Sequence, residues 1–229
     1  PWCTGACGML GKSWGGFNAL QVAFLQPAGL RAVVSVAATV DRFADDVHFK
    51  GGCLMGENFG WGSVMLSYMS RPSDPLLRAD WRADWLRRLA ANDMLAATWA
   101  AHQSRDAYWC HGSVCEDFSR IAVPVLAVGG QNDGYVNAAP ALAGNTSVTK
   151  SIVGPWVHQY PHQGVPGPAI GFLQLVVRFL DCHLKGVDNG ADADPAMRVF
   201  MMHSQPPDAC APLRRGHWIA ERAWPSAAV

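Results

Sequence analysis

The sequence has no excess of charge of either sign, since 18 lysines and arginines balance 18 aspartates and glutamates among 229 residues. Binding to nucleic acid or to an anionic membrane needs a basic excess, so neither partner is expected. No apolar run is long enough to span a bilayer, and Arg178 interrupts the most apolar segment, 172–180. Because no signal peptide is recognisable either, we expect a cytoplasmic location.

The seven cysteines lack the paired spacings that hold zinc. Cys110-His111 followed by Cys115 is the nearest approach to a metal cluster, and a second pair is missing. An odd number of scattered cysteines favours free, buried thiols in a reducing compartment. The sequence therefore predicts no metal and no cofactor.

Repeats and low-complexity tracts are absent as well, and half of the residues are apolar. Such a chain is long enough to bury a core as one domain, or as one domain and part of another. Apolar runs alternating with helical patterns are typical of a doubly wound, parallel α/β sheet. About four strands are expected, below the usual range for an open sheet: residues 6–10, 30–36, 124–130 and 148–153.

Residues 41–115 have a different character, being helical and rich in tryptophan. In 75–91, leucines and tryptophans recur at helical spacing between arginines and aspartates, which favours core packing over a substrate wall. We therefore expect a helical cap at 41–115, inserted between two parts of the core at 1–40 and 116–187. A long helix at 169–184, ended by Gly186, would close the core, and 197–203 alternates like a strand of a separate antiparallel unit.

The central motif is Gly11-Lys12-Ser13-Trp14-Gly15, which fits the nucleophile-elbow pattern G-x-S-x-G between a strand and a helix. A serine hydroxyl attacks a carbonyl only if a strained turn projects it into a cleft, and the flanking glycines allow the close backbone packing. The backbone N–H of Trp14, at the start of the helix, is the expected oxyanion donor.

A second pattern overlaps the first, because Gly11-Lys12-Ser13 also ends a phosphate-binding P-loop. That motif requires glycine five residues before Gly11, where this chain has Ala6. A methyl group there hinders the backbone from curling round a phosphate. Nucleotide binding is therefore the less favoured interpretation.

Two further residues complete a catalytic constellation. Asp133 and His158 each follow an expected strand, at the sheet edge where parallel α/β folds bind ligands. The order Ser13, Asp133, His158 is the order of the triad in this kind of fold. Ser13 would be the nucleophile, His158 the general base and acid, and Asp133 the group that fixes the imidazole tautomer. Taken singly, Asp133 could be a turn residue and His158 a loop histidine.

The chain resembles the cocaine esterase/NonD (CocE/NonD) hydrolases, relatives of Xaa-Pro dipeptidyl peptidases and α-amino acid ester hydrolases. The resemblance is carried by Gly11-Lys12-Ser13-Trp14-Gly15-Gly16, Asp45-Asp46-Val47-His48, Gly129-Gly130-Gln131-Asn132-Asp133 and Gly154-Pro155-Trp156-Val157-His158. It implies an α/β-hydrolase core, a helical cap and a C-terminal jelly-roll that would begin within 195–229. It also implies the triad Ser13, Asp133 and His158.

The resemblance is incomplete. Similar proteins carry tryptophan where this chain has Gln131, and they take a second oxyanion donor from an upstream tyrosine that nothing here matches. They also place several strands before the elbow, so the chain is expected to be a fragment with N-terminal strands missing and a truncated jelly-roll.

The predicted function is a serine hydrolase that cleaves esters or amides through an acyl-enzyme, acting on a small molecule or a short peptide. A Xaa-Pro dipeptidyl peptidase is the alternative, and it would need a carboxylate for the substrate amino group. Asp45, Asp46 and Glu57 are candidates, although a solvated loop face is the expected setting for each. Two alternatives from other classes stay open: a P-loop nucleotide binder, and a non-catalytic remnant whose cap is an interaction surface. The chain could also form a homo-oligomer.

Overall fold

The computed structural model describes residues 3–227, which form two compact units: residues 3–41 with 112–227, and residues 42–111. No helix in this part of the chain is long and apolar enough to cross a membrane. In chain order the elements are β1 (Cys7–Lys12), α1 (Trp14–Phe24), β2 (Leu30–Val36), β3 (Phe49–Lys50), β4 (Cys53–Leu54), α2 (Glu57–Met69), α3 (Trp81–Ala90), α4 (Leu95–Ala101), α5 (Ala107–Cys110), β5 (Val125–Gly130), α6 (Ala138–Asn145), β6 (Thr149–Gly154), α7 (Phe172–Lys185), β7 (Met197–Met202) and β8 (Gly216–Glu221).

The first unit is built on a six-stranded sheet in the order β1-β2-β5-β6-β7-β8. All neighbouring strands are parallel except β7 and β8, which form an antiparallel pair. The four expected strands are therefore present and pair as a parallel sheet. Each connection between them returns the chain to the same edge, so the segments after β1, β5 and β6 all emerge at the carboxyl edge.

The expectation of about four strands is wrong, because β7 and β8 add two strands to the sheet; a jelly-roll that begins within 195–229 stays a prediction. Burial along Met197–Met202 does not alternate, since Met197 and Phe200 are buried while the adjacent Met201 and Met202 are both exposed. The sequence of this segment is equally typical of a strand at the margin of the main sheet. The structure places β7 against β6, with Ile152 opposite Arg198 and Val153 opposite Val199.

Helices cover both faces of the sheet, as expected for parallel strands that are apolar on both sides. In β2, Val33 packs with α1 and α6, whereas Val34 and Val36 pack with α7 on the opposite face. The glycine end of α7 is also as predicted: Gly186 has φ 68°, and its N–H donates to the Cys182 carbonyl at 3.0 Å.

The second unit has a small aromatic core that differs from the expected one. Its buried apolar cluster is Phe49, Ala96, Trp99 and Trp109. The leucines of 75–91 are not core residues, since Leu76 and Leu77 are 91% and 82% exposed.

Helix α3 instead buries a charged side chain. The Asp84 carboxylate accepts hydrogen bonds from Ser73 at 2.8 Å and Arg87 at 2.5 Å, and Arg88 lies within ion-pair distance. A buried carboxylate has to be satisfied by such donors, and helical spacing of apolar residues does not reveal this requirement.

The loops after β5 and β6 approach each other most closely at Gly130. A Cβ on Gly130 would lie 2.2 Å from the carbonyl oxygen of Trp156, whereas a Cβ on the adjacent Gly129 would meet its nearest neighbour at 3.5 Å. The ring of Trp156 is 1% exposed, and its indole N–H donates to the Pro168 carbonyl at 2.9 Å. The Trp156 backbone is therefore held in place and cannot easily move away from a side chain at residue 130.

Gly130→Ala is expected to lower the free energy of unfolding by about 3 kcal/mol, because the main chain of one loop has to move. Gly129→Ala, one position earlier in the same strand, is the matched control and should change stability by less than about 1 kcal/mol. Urea unfolding followed by tryptophan fluorescence measures both. Equal stability of the two variants would show that the close approach is not a constraint.

Candidate functional site

Ser13 lies in a strained turn between β1 and α1. Its φ of 58° and ψ of −124° are rare for a residue with a side chain. The turn is held on both sides: the Ser13 N–H donates to the Val36 carbonyl at 2.8 Å, and the Ser13 carbonyl accepts from Gly16 and Phe17 at 2.9 and 3.1 Å. The two ends of the turn are thereby fixed to β2 and to the first turn of α1.

Glycines make this turn possible, although not all for the reason given by the motif. A Cβ on Gly11 would lie 2.2 Å from the carbonyl carbon of Gly15, so the strand and the first helical turn touch there. A Cβ on Gly16 would meet Ala38 Cβ at 2.8 Å, whereas one on Gly15 would meet nothing within 4 Å. Gly16, outside the G-x-S-x-G pattern, is thus a packing requirement that sequence reasoning missed.

The first backbone N–H groups of α1 follow Ser13 directly and lie outside the hydrogen-bond ladder of the helix. Among the described residues, the N–H groups of Trp14 and Gly15 have no hydrogen-bond acceptor. Unpaired donors at a helix N-terminus stabilise negative charge. The role of the Trp14 N–H as an oxyanion donor stays a prediction.

Asp133 and His158 are brought together at the carboxyl ends of β5 and β6. His158 Nδ1 lies 2.9 Å from Asp133 Oδ2 and 3.1 Å from Oδ1. The Asp133 side chain is 3% exposed and that of His158 is 40% exposed. Because an ionised carboxylate only accepts, the proton is on Nδ1 and Nε2 is the basic nitrogen.

Two supporting residues were not identified from the sequence. The Tyr135 backbone N–H donates to Asp133 Oδ1 at 3.2 Å, and its ring centroid lies 5.6 Å from that of His158. Lys12 Nζ donates to the His158 carbonyl at 3.2 Å and lies 5.4 Å from the centre of the Tyr160 ring. Lys12, the residue before Ser13, therefore links the serine turn to the main chain of His158.

The ring of His158 is bonded to Asp133, and no hydrogen bond between the Ser13 hydroxyl and the imidazole occurs within residues 3–227. Catalytic hydrogen bonds of this kind are often long without substrate and tighten in the reacting complex. The structure thus joins two of the three predicted residues directly and places the third at the same sheet edge, tied to them through Lys12.

The P-loop interpretation does not fit this structure. A phosphate loop needs several residues whose N–H groups curl round an anion. Residues 8–12 are instead paired with 32–36 in a parallel ladder, and the Lys12 ammonium is hydrogen-bonded to a protein carbonyl.

Gln131, the local departure from the resembling proteins, is part of the scaffold of the site. Its side-chain Nε2 donates to the Phe200 carbonyl at 2.9 Å, and its N–H donates to the Gly154 carbonyl at 2.8 Å. The residue thus connects β5 with both β6 and β7, two residues before Asp133.

The candidate carboxylates of the second unit are largely committed to neighbours. Asp46 Oδ2 lies 3.0 Å from Arg42 Nε with its side chain fully buried, and Asp45 Oδ1 lies 2.5 Å from Lys50 Nζ. A solvated loop face was expected, and for Asp46 that expectation is wrong. Glu57 is exposed in the first turn of α2.

His48 is buried beside this ion pair as a neutral imidazole. Its Nδ1 lies 2.9 Å from Asn58 Oδ1, and its Nε2 lies 3.3 Å from an Arg42 nitrogen, which can only donate. Burial lowers the pKa of His48 below the ordinary 6.5, and the nearby Arg42 charge acts in the same direction against the opposing effects of Asn58 and Asp46.

This pKa gives a pH dependence of stability with a definite sign. The unfolded chain takes up a proton at His48 near pH 6.5 while the folded chain resists it, so the free energy of unfolding falls as the pH drops below about 6.5. Between about pH 7.5 and 5, wild type should lose more stability than His48→Gln in urea unfolding. Equal losses of stability in wild type and His48→Gln would contradict a lowered pKa for His48. The other titrating groups are the same in both proteins, so their contributions cancel when the two losses are subtracted.

A mainly parallel sheet with helices on both faces and a strained serine elbow at its carboxyl edge define the α/β-hydrolase fold. Three solved structures share it. The chain matches a CocE/NonD family hydrolase from Staphylococcus aureus with a TM-score of 0.70, 17% identity and coverage of 99% of this chain and 36% of that one. The match to an aminopeptidase from a marine sediment archaeon has a TM-score of 0.63 and 21% identity, and it covers 97% of this chain and 39% of that one. The match to an α-amino acid ester hydrolase has a TM-score of 0.59 and 20% identity, and it covers 96% of this chain and 39% of that one.

Residues 1–160 match the model of the X-Pro dipeptidyl-peptidase (S15) family, and the chain belongs to that family. It is 25% identical to "Cocaine esterase" of Rhodococcus sp. over 88% of this chain and 41% of that protein. It is 26% identical to "Putative Xaa-Pro dipeptidyl-peptidase" of Streptomyces avermitilis over 98% and 30%, respectively. The chain thus spans less than half the length of either relative. The predicted resemblance to CocE/NonD hydrolases and the predicted α/β-hydrolase core are confirmed, and the C-terminal jelly-roll stays a prediction.

Proposed function

We propose that the chain is a serine hydrolase that cleaves ester or amide bonds through an acyl-enzyme on Ser13. The observation that carries the proposal is the hydrogen bond from His158 Nδ1 to the buried Asp133 carboxylate, at the sheet edge that also holds the strained Ser13 turn. Family membership and the names of the relatives support hydrolysis of small ester or peptide substrates.

Each residue has a separate role in the proposed reaction. His158 Nε2 takes the proton from Ser13 Oγ as the oxygen attacks the carbonyl carbon, and it returns that proton to the leaving group. Asp133 keeps the proton on Nδ1 and stabilises the imidazolium that forms. The Trp14 N–H receives the developing oxyanion. Water then attacks the acyl-enzyme with His158 again as the base.

A fluorophosphonate probe tests the nucleophile. The tryptic peptide 13–31 contains no serine, threonine or tyrosine besides Ser13, so a mass increase on it locates the label. Wild type should be labelled on this peptide, Ser13→Ala should not, and Asp133→Asn should react on the order of 10⁴-fold more slowly because its imidazole has the wrong tautomer. Ser63→Ala, which alters an exposed serine of α2, is the matched control and should label like wild type.

The remnant interpretation predicts a different result, namely a folded wild-type chain whose peptide 13–31 stays unmodified. A rate that is unchanged by His158→Ala would separately exclude the proposed base. In ester hydrolysis, the Ser13→Ala/His158→Ala double variant should be little worse than either single variant, since a triad acts as a unit.

The family and one relative carry the name of a dipeptidyl peptidase, so peptide substrates are the second candidate. That activity requires a carboxylate that is free to bind the substrate ammonium; of the three candidates Asp45 and Asp46 are held in ion pairs, which leaves the exposed Glu57. We therefore favour esters or amides without a required amino terminus.

Paired substrates separate these activities. Ala-Pro-p-nitroanilide and its N-acetylated form should differ in kcat/KM by less than about tenfold, since the loss of one unscreened ion pair would cost more. A preference of about 100-fold or more for the free amine would establish the peptidase instead. Glu57→Gln, with Glu116→Gln as a second carboxylate control, would then show whether Glu57 is the anchor.

A further inference from the structure

A cysteine, a histidine and an aspartate converge beyond the C-terminal turn of α7. Cys182 Sγ lies 3.6 Å from Asp192 Oδ2, and His183 Nε2 lies 3.6 Å from Asp192 Oδ1. One donor atom from each residue lies within 4.8 Å of the other two. The cluster is at the amino ends of the strands, before β7 begins, and the triad residues are at the opposite edge.

The two 3.6 Å distances end on different oxygens of Asp192, and with one oxygen as the ligand the three donor atoms lie within 4.8 Å of one another, somewhat wider than in a tetrahedral zinc site. With zinc bonds of about 2.3 Å to sulfur and about 2.0 Å to nitrogen or oxygen, ligand atoms lie roughly 3.3 to 3.6 Å apart. The donors therefore need to move by only a fraction of an ångström, or by about one ångström for the widest separation, to share one ion.

The backbone that carries the three residues is already fixed. Gly186 reverses the chain after α7 through the hydrogen bond from its N–H to the Cys182 carbonyl. Asn189 Nδ2 then donates to the Arg178 carbonyl at 2.7 Å. Ala191, directly before Asp192, is buried, and after Asp192 the Asp194 carboxylate is bound by Arg178 and Arg198.

The side chains differ in freedom in a way that suits metal entry. The His183 side chain is 12% exposed, with its ring against that of Phe179 at a centroid distance of 4.5 Å, so its direction is set by packing. The Asp192 side chain is 79% exposed and can swing onto an ion from the solvent side. An open side leaves room for water as a fourth ligand.

We propose that Cys182, His183 and Asp192 bind one Zn²⁺ ion, with water completing the tetrahedron. Sulfur and imidazole donors select a borderline-soft cation over Mg²⁺ or Ca²⁺, which prefer oxygen. The thiol proton leaves as the metal–sulfur bond forms. The ion would connect the end of α7 to the segment that leads into β7, and this role is independent of Ser13.

Cobalt(II) is the probe, because thiolate ligation gives a charge-transfer band and tetrahedral geometry gives intense visible bands. The untagged 229-residue chain, freed of metal with EDTA, should bind one equivalent of Co²⁺ with both signatures, and one equivalent of Zn²⁺ should abolish them. Cys182→Ser should lose the charge-transfer band, and Cys210→Ser, at an exposed cysteine, should keep it.

A second pair of variants decides the matter if Cys182→Ser does not fold. Asp192→Asn removes the charge of an exposed side chain and should weaken Co²⁺ binding by at least about tenfold. Asp181→Asn alters a carboxylate that faces Lys185 and should leave the affinity unchanged. Absence of the charge-transfer band up to about 1 mM Co²⁺, its persistence in Cys182→Ser, or equal affinity of the Asp192→Asn protein would overturn the proposal.

Discussion

The parallel pairing of β5 with β6 is the constraint on which the candidate site depends. The ladder ends with Gly130 opposite Gly154, and it continues into the loops through the Asn132 N–H, which donates to the Trp156 carbonyl at 3.1 Å. The absence of a side chain at Gly130 permits this approach. The main chains that carry Asp133 and His158 are therefore positioned by backbone hydrogen bonds, and the carboxylate meets the imidazole as a consequence of the register.

The conformation of the Ser13 turn depends on a balance between backbone strain and the packing of α1. A positive φ at Ser13 costs on the order of 1–3 kcal/mol, yet both sides of the turn are anchored, one by β2 and the other by the first turn of α1. The apolar side chains of α1, such as Leu20, are fully buried against the sheet. Burial of even one leucine contributes about 2 kcal/mol, so the helix can hold the serine in a conformation that it would not adopt alone.

Much of the fold could be predicted because interior parallel strands are apolar on both faces, and Leu30–Val36 was delimited correctly on that ground. The pattern could not tell a marginal strand such as β7 from a strand of another unit, because burial along Met197–Met202 does not follow a strict alternation. It also missed the burial of Asp84, although two of its arginine partners, Arg87 and Arg88, are on the same helix three and four residues later. Ser13, Asp133 and His158 were predicted together from motif and order, and the structure joins Asp133 to His158. The contact from Lys12 could not be predicted, because its acceptor is a backbone carbonyl 146 residues away.

The position of β7 beside β6 affects how often the histidine loop can open. A strand at the margin of a sheet frays because one row of its amides has no partner, whereas β6 is hydrogen-bonded along both sides, to β5 and to β7. Its amides should exchange with solvent deuterium among the slowest in the unit. The imidazole is thereby attached to a segment that opens rarely, while the serine is carried by β1, at the border of the described sheet.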